Sequence, residues 1–98
     1  MFWNKMKSVT TSELETLLKD KPEILDVREP HEFKNGHILG AKNLPLSKVE
    51  TYTGKGPVYV ICQSGMRSSS AAKILKKMDV DVTNVKGGMS MWRGAVKR

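Results

Sequence analysis

The stretch Val58–Ile61 is the feature that most restricts how this chain can fold, because its four residues, Val-Tyr-Val-Ile, are all apolar. A strand with one face in water alternates apolar and polar side chains, so this strand is expected to be covered on both faces, as in a parallel sheet. Beyond it, apolar residues recur at the spacing of one helical face: Ala71, Ile74, Leu75 and Met78. The sequence therefore predicts a buried strand that leads through a short loop into a helix.

The rest of the chain repeats this alternation of strand and helix. A helix is predicted to begin with a capping box formed by Thr10 and Glu13 and to end before Pro22. The further predicted elements are strands at Ile24–Val27, Ala41–Leu44 and Val80–Val85 and short helices near Glu29–Lys34 and Met89–Gly94. At 98 residues this pattern predicts one α/β domain over residues 1–98.

Cys62, at the end of the buried strand, is the only cysteine in the sequence. One cysteine excludes an intramolecular disulfide and a multi-cysteine metal site. His31 and His37 are six positions apart and match no zinc-binding spacing, so we expect neither a metal nor another cofactor. His31 is expected to be exposed on a helix, and His37 to shape the fold.

The residues that follow Cys62 are suited to holding a negative charge. Gln63, Ser64, Gly65 and Met66 form a loop whose backbone N–H groups can turn inward, and the next helix adds a partial positive charge at its N-terminus. Arg67 adds a full positive charge. These groups favour a reactive thiolate. The alternative is a buried, unreactive core cysteine, which the neighbouring glycine, arginine and serine make the weaker interpretation.

The net charge of +7 is unevenly distributed. Residues 58–98 hold eight Lys and Arg against two Asp, an excess of +6, which would attract small anions or an acidic partner. A solvated lysine-rich face is the plainer interpretation. No nucleic-acid motif and no membrane-length apolar segment is present, and the first eight residues lack a signal-peptide core, so a cytoplasmic protein without nucleic-acid or membrane partners is expected.

The loop Cys62–Ser68, with the sequence C-Q-S-G-M-R-S, resembles the active-site loop of the rhodanese family of sulfurtransferases. Other elements of that family follow in the same order along the chain. They are D-V-R at Asp26–Arg28, E-F at Glu32–Phe33, G-H-I at Gly36–Ile38, and G-G with a tryptophan at Gly87, Gly88 and Trp92. The resemblance implies a single rhodanese-like domain with a mostly parallel central sheet and helices on both faces.

The resemblance also implies the chemistry and the site. Cys62 would take sulfur from a small anionic donor such as thiosulfate, become a persulfide, and pass the sulfur to cyanide or to a thiol, including the thiol of a protein. The substrate-binding residues would be Gln63, Ser64, Gly65, Met66, Arg67 and Ser68. Ser68 would either donate a hydrogen bond or start the helix, and Asp26 and Arg28 would be structural.

Two other classes of function stay open from the sequence. Cysteine phosphatases and arsenate reductases also use a cysteine and an arginine around an anion, but their loops usually place five residues between the two, against four here. Such phosphatases also typically place His where Ile61 stands. A persulfide carrier or a protein-interaction module with little small-molecule turnover is the other alternative.

Overall fold

The central sheet has five strands, in a computed structural model that describes residues 6–98. The strands are Lys7–Val9 (β1), Glu23–Asp26 (β2), Lys42–Asn43 (β3), Val58–Ile61 (β4) and Val82–Val85 (β5). They lie in the order β1-β5-β4-β2-β3, and all four pairings are parallel. Phe2 and Trp3, for which the sequence favours neither core packing nor a contact surface, lie outside the described residues.

The helices connect successive strands. They are Thr11–Leu17 (α1), Pro30–Lys34 (α2) and Met66–Lys77 (α3), with 3₁₀ helices at Leu18–Asp20, Leu46–Thr51 and Gly88–Met91. The predicted capping box is confirmed: the Glu13 N–H donates to Thr10 Oγ1 at 3.1 Å, and the Thr10 N–H donates to the Glu13 carboxylate at 2.8 Å. These bonds satisfy two backbone donors that a helix start leaves unpaired.

β4 is covered on both faces, as its unbroken apolar sequence predicts. On one face Val58 and Val60 belong to a core with Leu75 of α3. On the other face Ile61 packs in a core with Leu14 of α1. The α/β class, the parallel sheet and the helices on both faces are therefore confirmed.

The structure differs from the predicted elements in three places. The last strand begins at Val82 rather than Val80, because Asp79 adopts a left-handed φ of 64° and the Val80 N–H still bonds to the Leu75 carbonyl. The last helix is a four-residue 3₁₀ helix at Gly88–Met91. β1, with the half-polar sequence Lys-Ser-Val, has no strand pattern and is held by its pairing with β5.

The parallel sheet brings the carboxyl ends of its strands to one edge, which is where ligands bind in open α/β sheets. Arg28 follows β2, Cys62 follows β4 and Gly87 follows β5 at this edge. Within residues 6–98, no helix is long and apolar enough to span a membrane. The same residues contain no group of three or more His, Cys, Asp or Glu side chains that could hold a metal ion.

Candidate active site

Cys62 lies directly after β4, and its side chain is fully buried. Its Sγ accepts the backbone N–H of Gly65 at 3.1 Å and that of Ser68 at 3.3 Å. The Ser68 Oγ lies 3.5 Å from the sulfur. The loop therefore curls around one atom and directs hydrogen-bond donors at it.

The backbone of Gly65 makes this arrangement possible. Gly65 is the N-cap residue of α3 and has a φ of +103°, which side chains disfavour. Gly65 has no side chain to cap the helix, so the first-turn N–H groups need another partner. The Ser68 N–H is one of these groups, and the sulfur occupies the place that a capping oxygen usually takes.

Burial and hydrogen bonding act in opposite directions on the pKa of Cys62. Burial raises it, because a charged sulfur loses hydration. Hydrogen bonds from the Ser68 hydroxyl and from the amides of Ser68, Gly65 and Ser64 lower it by more, so the pKa lies below the ordinary value of a cysteine thiol. The geometry therefore favours the thiolate.

Ser68 has two partners for one hydroxyl hydrogen. Its Oγ is 3.2 Å from the Gly65 carbonyl oxygen and 3.5 Å from the Cys62 sulfur. When Cys62 is a thiol, the hydroxyl donates to the carbonyl, and when the sulfur is charged the hydroxyl can turn to it. α3 begins at Met66, with Gly65 as N-cap, so Ser68 does not start the helix.

The 3₁₀ helix at Gly88–Met91 holds the Cys62 loop through two backbone hydrogen bonds. The Met89 N–H donates to the Cys62 carbonyl at 2.8 Å, and the Ser90 N–H donates to the Gln63 carbonyl at 2.9 Å. Gly88 has a φ of +58°, and a Cβ there would collide with both carbonyl oxygens. Close backbone contact with the loop thus explains Gly88, whereas Gly87 has a φ of +80° and lies against the Met91 side chain.

Arg67 does not contact the Cys62 sulfur. Its guanidinium forms a two-point pair with the Glu32 carboxylate, at 2.7 and 2.9 Å, and the two side chains are 37% and 25% exposed. This hydrogen-bonded pair lowers the pKa of Glu32 to about 2. Arg67 therefore stands beside the loop, held by a residue from α2.

A second arginine reaches the loop from β2. Arg28 donates to both carboxylate oxygens of Asp26 and, at 2.8 Å, to the Gly36 carbonyl, and both charged side chains are buried. Arg28 Nη1 also lies 3.4 Å from Gln63 Oε1. His37 stacks on Phe33 with ring centroids 3.7 Å apart and takes part in packing at this side of the fold.

The predicted site residues other than Cys62 divide into three groups, one of which is Arg67 alone, paired with Glu32. Ser64, Gly65 and Ser68 surround the Cys62 sulfur through backbone amides or a hydroxyl. The side chains of Gln63 and Met66 are exposed, Met66 by 77%, so they do not enclose the sulfur. The sequence interpretation missed Glu32 as the partner of Arg67, and the only signal for it was its position in the E-F element.

Comparison with known proteins gives consistent matches over most of the chain. The family model of the rhodanese-like domain matches residues 10–95. The chain is 44% identical to the uncharacterized protein YqhL of Bacillus subtilis, over 94% of this chain and 76% of that one. It is 32% identical to thiosulfate sulfurtransferase GlpE of Shewanella oneidensis, over 94% of this chain and 97% of that one. The crystal structure of a rhodanese-like domain protein from Staphylococcus aureus superimposes with a TM-score of 0.84 at 32% identity, covering 94% of this chain and 97% of that one.

Proposed function

The chain belongs to the rhodanese-like domain family, and from this premise we propose that it is a sulfurtransferase that carries sulfane sulfur on Cys62. The observation that carries the proposal is the convergence of the Gly65 and Ser68 amides on the buried Cys62 sulfur. A thiol in a core needs no such donors, whereas a thiolate and a persulfide anion both do.

In the first step, the Cys62 thiolate attacks the outer sulfur of thiosulfate. A sulfur–sulfur bond forms to Cys62, the sulfur–sulfur bond of thiosulfate breaks, and sulfite leaves with the bonding electron pair. No proton is transferred, so this step needs no general base. It is covalent catalysis in which the nucleophile is activated by a lowered pKa.

In the second step, the outer sulfur of the Cys62 persulfide passes to an acceptor. Cyanide attacks it to give thiocyanate, or a thiolate attacks it to give a new persulfide. In both cases the bond between the two sulfur atoms breaks and its electrons return to Cys62 as the thiolate. The same amides then hold the regenerated charge, as preorganised donors do in other anion sites.

The roles of the loop residues follow from the atoms that they offer. The amides of Ser64, Gly65 and Ser68 hold the charge on sulfur, and Ser68 adds a hydroxyl. Arg67, beside the loop, is proposed to receive the anionic donor with its planar guanidinium. Gln63 and Met66 are proposed to contact substrate at the outer face of the loop.

The phosphatase alternative is disfavoured by the length of the loop, which is one residue shorter between Cys62 and Arg67 than the usual phosphatase loop.

The test is an intact-mass measurement after incubation with thiosulfate. The mass should rise by one sulfur atom, fall back on addition of a thiol reductant, and stay unchanged in a Cys62→Ser variant. Turnover with cyanide, compared with turnover with protein thiols, then separates a small-molecule enzyme from a persulfide carrier. An adduct that persists in Cys62→Ser, or no adduct at all, would contradict the proposal.

A further inference from the structure

A groove of about 500 Å³ runs beside the Cys62 loop, between the start of α3 and the end of β5. Ser64, Gly65 and Met66 of the loop form part of its wall. The remaining lining residues are Ser69, Ser70, Lys73, Asn84, Lys86 and Gly87. A ligand in this groove would therefore touch the outer side of the loop that holds the sulfur.

The charged residues of the groove are both cations. Lys73 projects from α3 and Lys86 follows β5, and both side chains are exposed. No carboxylate of the described chain forms an ion pair with either lysine. The groove therefore presents two separate positive charges, in the half of the chain that carries the +6 excess.

Asn84 supplies an independent sign that the groove receives a ligand. It lies in β5 on the face of Val82, lines the groove together with Ser69 and Lys73 of α3, and is only 8% exposed. Its Oδ1 is buried and has no hydrogen-bond partner within residues 6–98. Buried polar atoms in proteins are almost always paired, so Asn84 Oδ1 is expected to accept a hydrogen bond from a bound ligand.

The side-chain torsion of an asparagine amide is broad, so the carboxamide of Asn84 can turn toward the groove at little cost. An amide offers both an acceptor and a donor, as the backbone of an extended peptide does. One wall of the groove, Met66, is a 77% exposed flexible apolar side chain, a type common at protein-binding surfaces. These features fit a polypeptide better than a small anion, which would leave Met66 uncovered.

We propose that this groove binds an acidic, extended segment of the protein that accepts sulfur from Cys62. Carboxylates of the segment pair with Lys73 and Lys86, its backbone pairs with Asn84, and Met66 packs against it. The assignment of the partner as the acceptor rests on the proposed function, but the binding itself does not need sulfur transfer.

The test uses the Cys62→Ser protein and a fluorescein-labelled peptide in which glutamates flank one cysteine, compared with the same peptide carrying glutamines. Anisotropy should show clearly tighter binding of the glutamate peptide, weakened by salt. Lys73→Glu and Lys86→Glu should each weaken binding roughly three- to tenfold. Lys42→Glu is the matched control, because it makes the same charge change on β3, which is separated from β5 by two strands. It should leave binding unchanged.

Asn84→Leu tests the amide separately, since leucine has a similar size and no polar atom. Binding should weaken roughly two- to tenfold, while stability in urea should not fall. Unchanged binding in this variant, or an equal loss in Lys42→Glu, would overturn the proposal. Displacement of the peptide by N-acetylcysteine at equal concentration would also overturn it, in favour of a small-thiol site.

The wild-type protein separates this inference from the proposed function. If the persulfide forms but the glutamate peptide does not bind, the groove assignment is wrong and the proposed function stands. If the peptide binds and no persulfide forms, the proposed function is wrong, and the groove is a peptide site of another kind.

Discussion

Two arginines stand beside the Cys62 loop, each paired with a carboxylate, and they differ in burial. Arg28 and Asp26 are 5% and 0% exposed, whereas Arg67 and Glu32 are 37% and 25% exposed. Arg28 also bonds to Gly36, and its partner Asp26 lies two positions before it in the chain. Arg67 meets a partner 35 residues away and bonds only to it among the described residues.

This difference in burial predicts that the two ion pairs have different roles. A buried ion pair has lost its hydration, so removing one partner leaves an uncompensated charge in the interior. A half-exposed pair keeps water close by and can exchange its partner for a substrate anion at small cost. The first pair is expected to matter for stability, and the second for activity.

The largest expected effect is on stability, from Asp26→Ala. Loss of the carboxylate leaves Arg28 buried without its partner and should lower the free energy of unfolding by about 3–5 kcal/mol. Urea denaturation measures this. The double variant Asp26→Leu, Arg28→Met removes both charges and should recover much of the loss. A cost below about 1 kcal/mol for the single variant would break the comparison, because the buried pair would then behave as an exposed one.

Arg67→Lys should change activity instead. The variant keeps the charge but loses the planar fork, so kcat/KM with thiosulfate should fall roughly ten- to a hundredfold. The free energy of unfolding should stay within about 0.5 kcal/mol of the original value. Arg93→Lys, an exposed arginine near the C-terminus, is the control and should be neutral. Unchanged turnover in Arg67→Lys would show that this arginine serves only its pair with Glu32.

A smaller effect is expected from Ser68→Ala, which removes the hydroxyl beside the sulfur. The pKa of Cys62 should rise toward its ordinary value, so less thiolate is present at neutral pH. Alkylation by iodoacetamide at neutral pH should slow roughly three- to tenfold. Ser69→Ala is the matched control, since no bond joins that hydroxyl to the sulfur within residues 6–98. Equal rates in the two variants would show that the amides alone lower the pKa.

The smallest expected effect is that of Glu32→Gln on stability. Pairing with Arg67 lowers the pKa of Glu32 from 4.5 to about 2, so its stabilising effect is full above pH 4.5 and is lost as the pH falls toward 2. Because the pair is partly exposed, the variant should be less stable by only about 0.5 kcal/mol at neutral pH. Unfolding of both proteins should converge in acid. A difference that does not change with pH would mean that the loss is one of packing.

Most of the architecture was predictable from local patterns. β4 was predicted with its observed bounds, because an all-apolar run has one physical interpretation in a short α/β chain. α3 and the capping box of α1 followed from helical spacing and from the residue types at the helix start. β1 was not predictable, since two of its three residues are polar and its support comes from distant residues, through the parallel pairing with β5, the Lys7–Asp81 ion pair and the packing of Val9.

The candidate site was predictable in its residues but not in its contacts. The loop N–H groups, Gly65 and Arg67 could be assigned to the site from the sequence, because all of them lie within six positions of Cys62. The sequence interpretation treats Arg67 as one of three groups acting on the sulfur. In the structure the amides and the Ser68 hydroxyl contact the sulfur, whereas Arg67 is hydrogen-bonded to Glu32 and interacts with Cys62 through its charge.

The sequence by itself determined the α/β class, the buried central strand and the thiol that ends it, because these depend on spacings of a few residues. Only the tertiary structure decided that Glu32 holds Arg67, that Gly88 packs against the loop and that Asn84 Oδ1 has no hydrogen-bond partner among the described residues. Such contacts join residues from different strand ends, and their distances depend on how the parallel sheet brings those ends together. No local sequence pattern encodes these distances, because they depend on packing across the whole sheet.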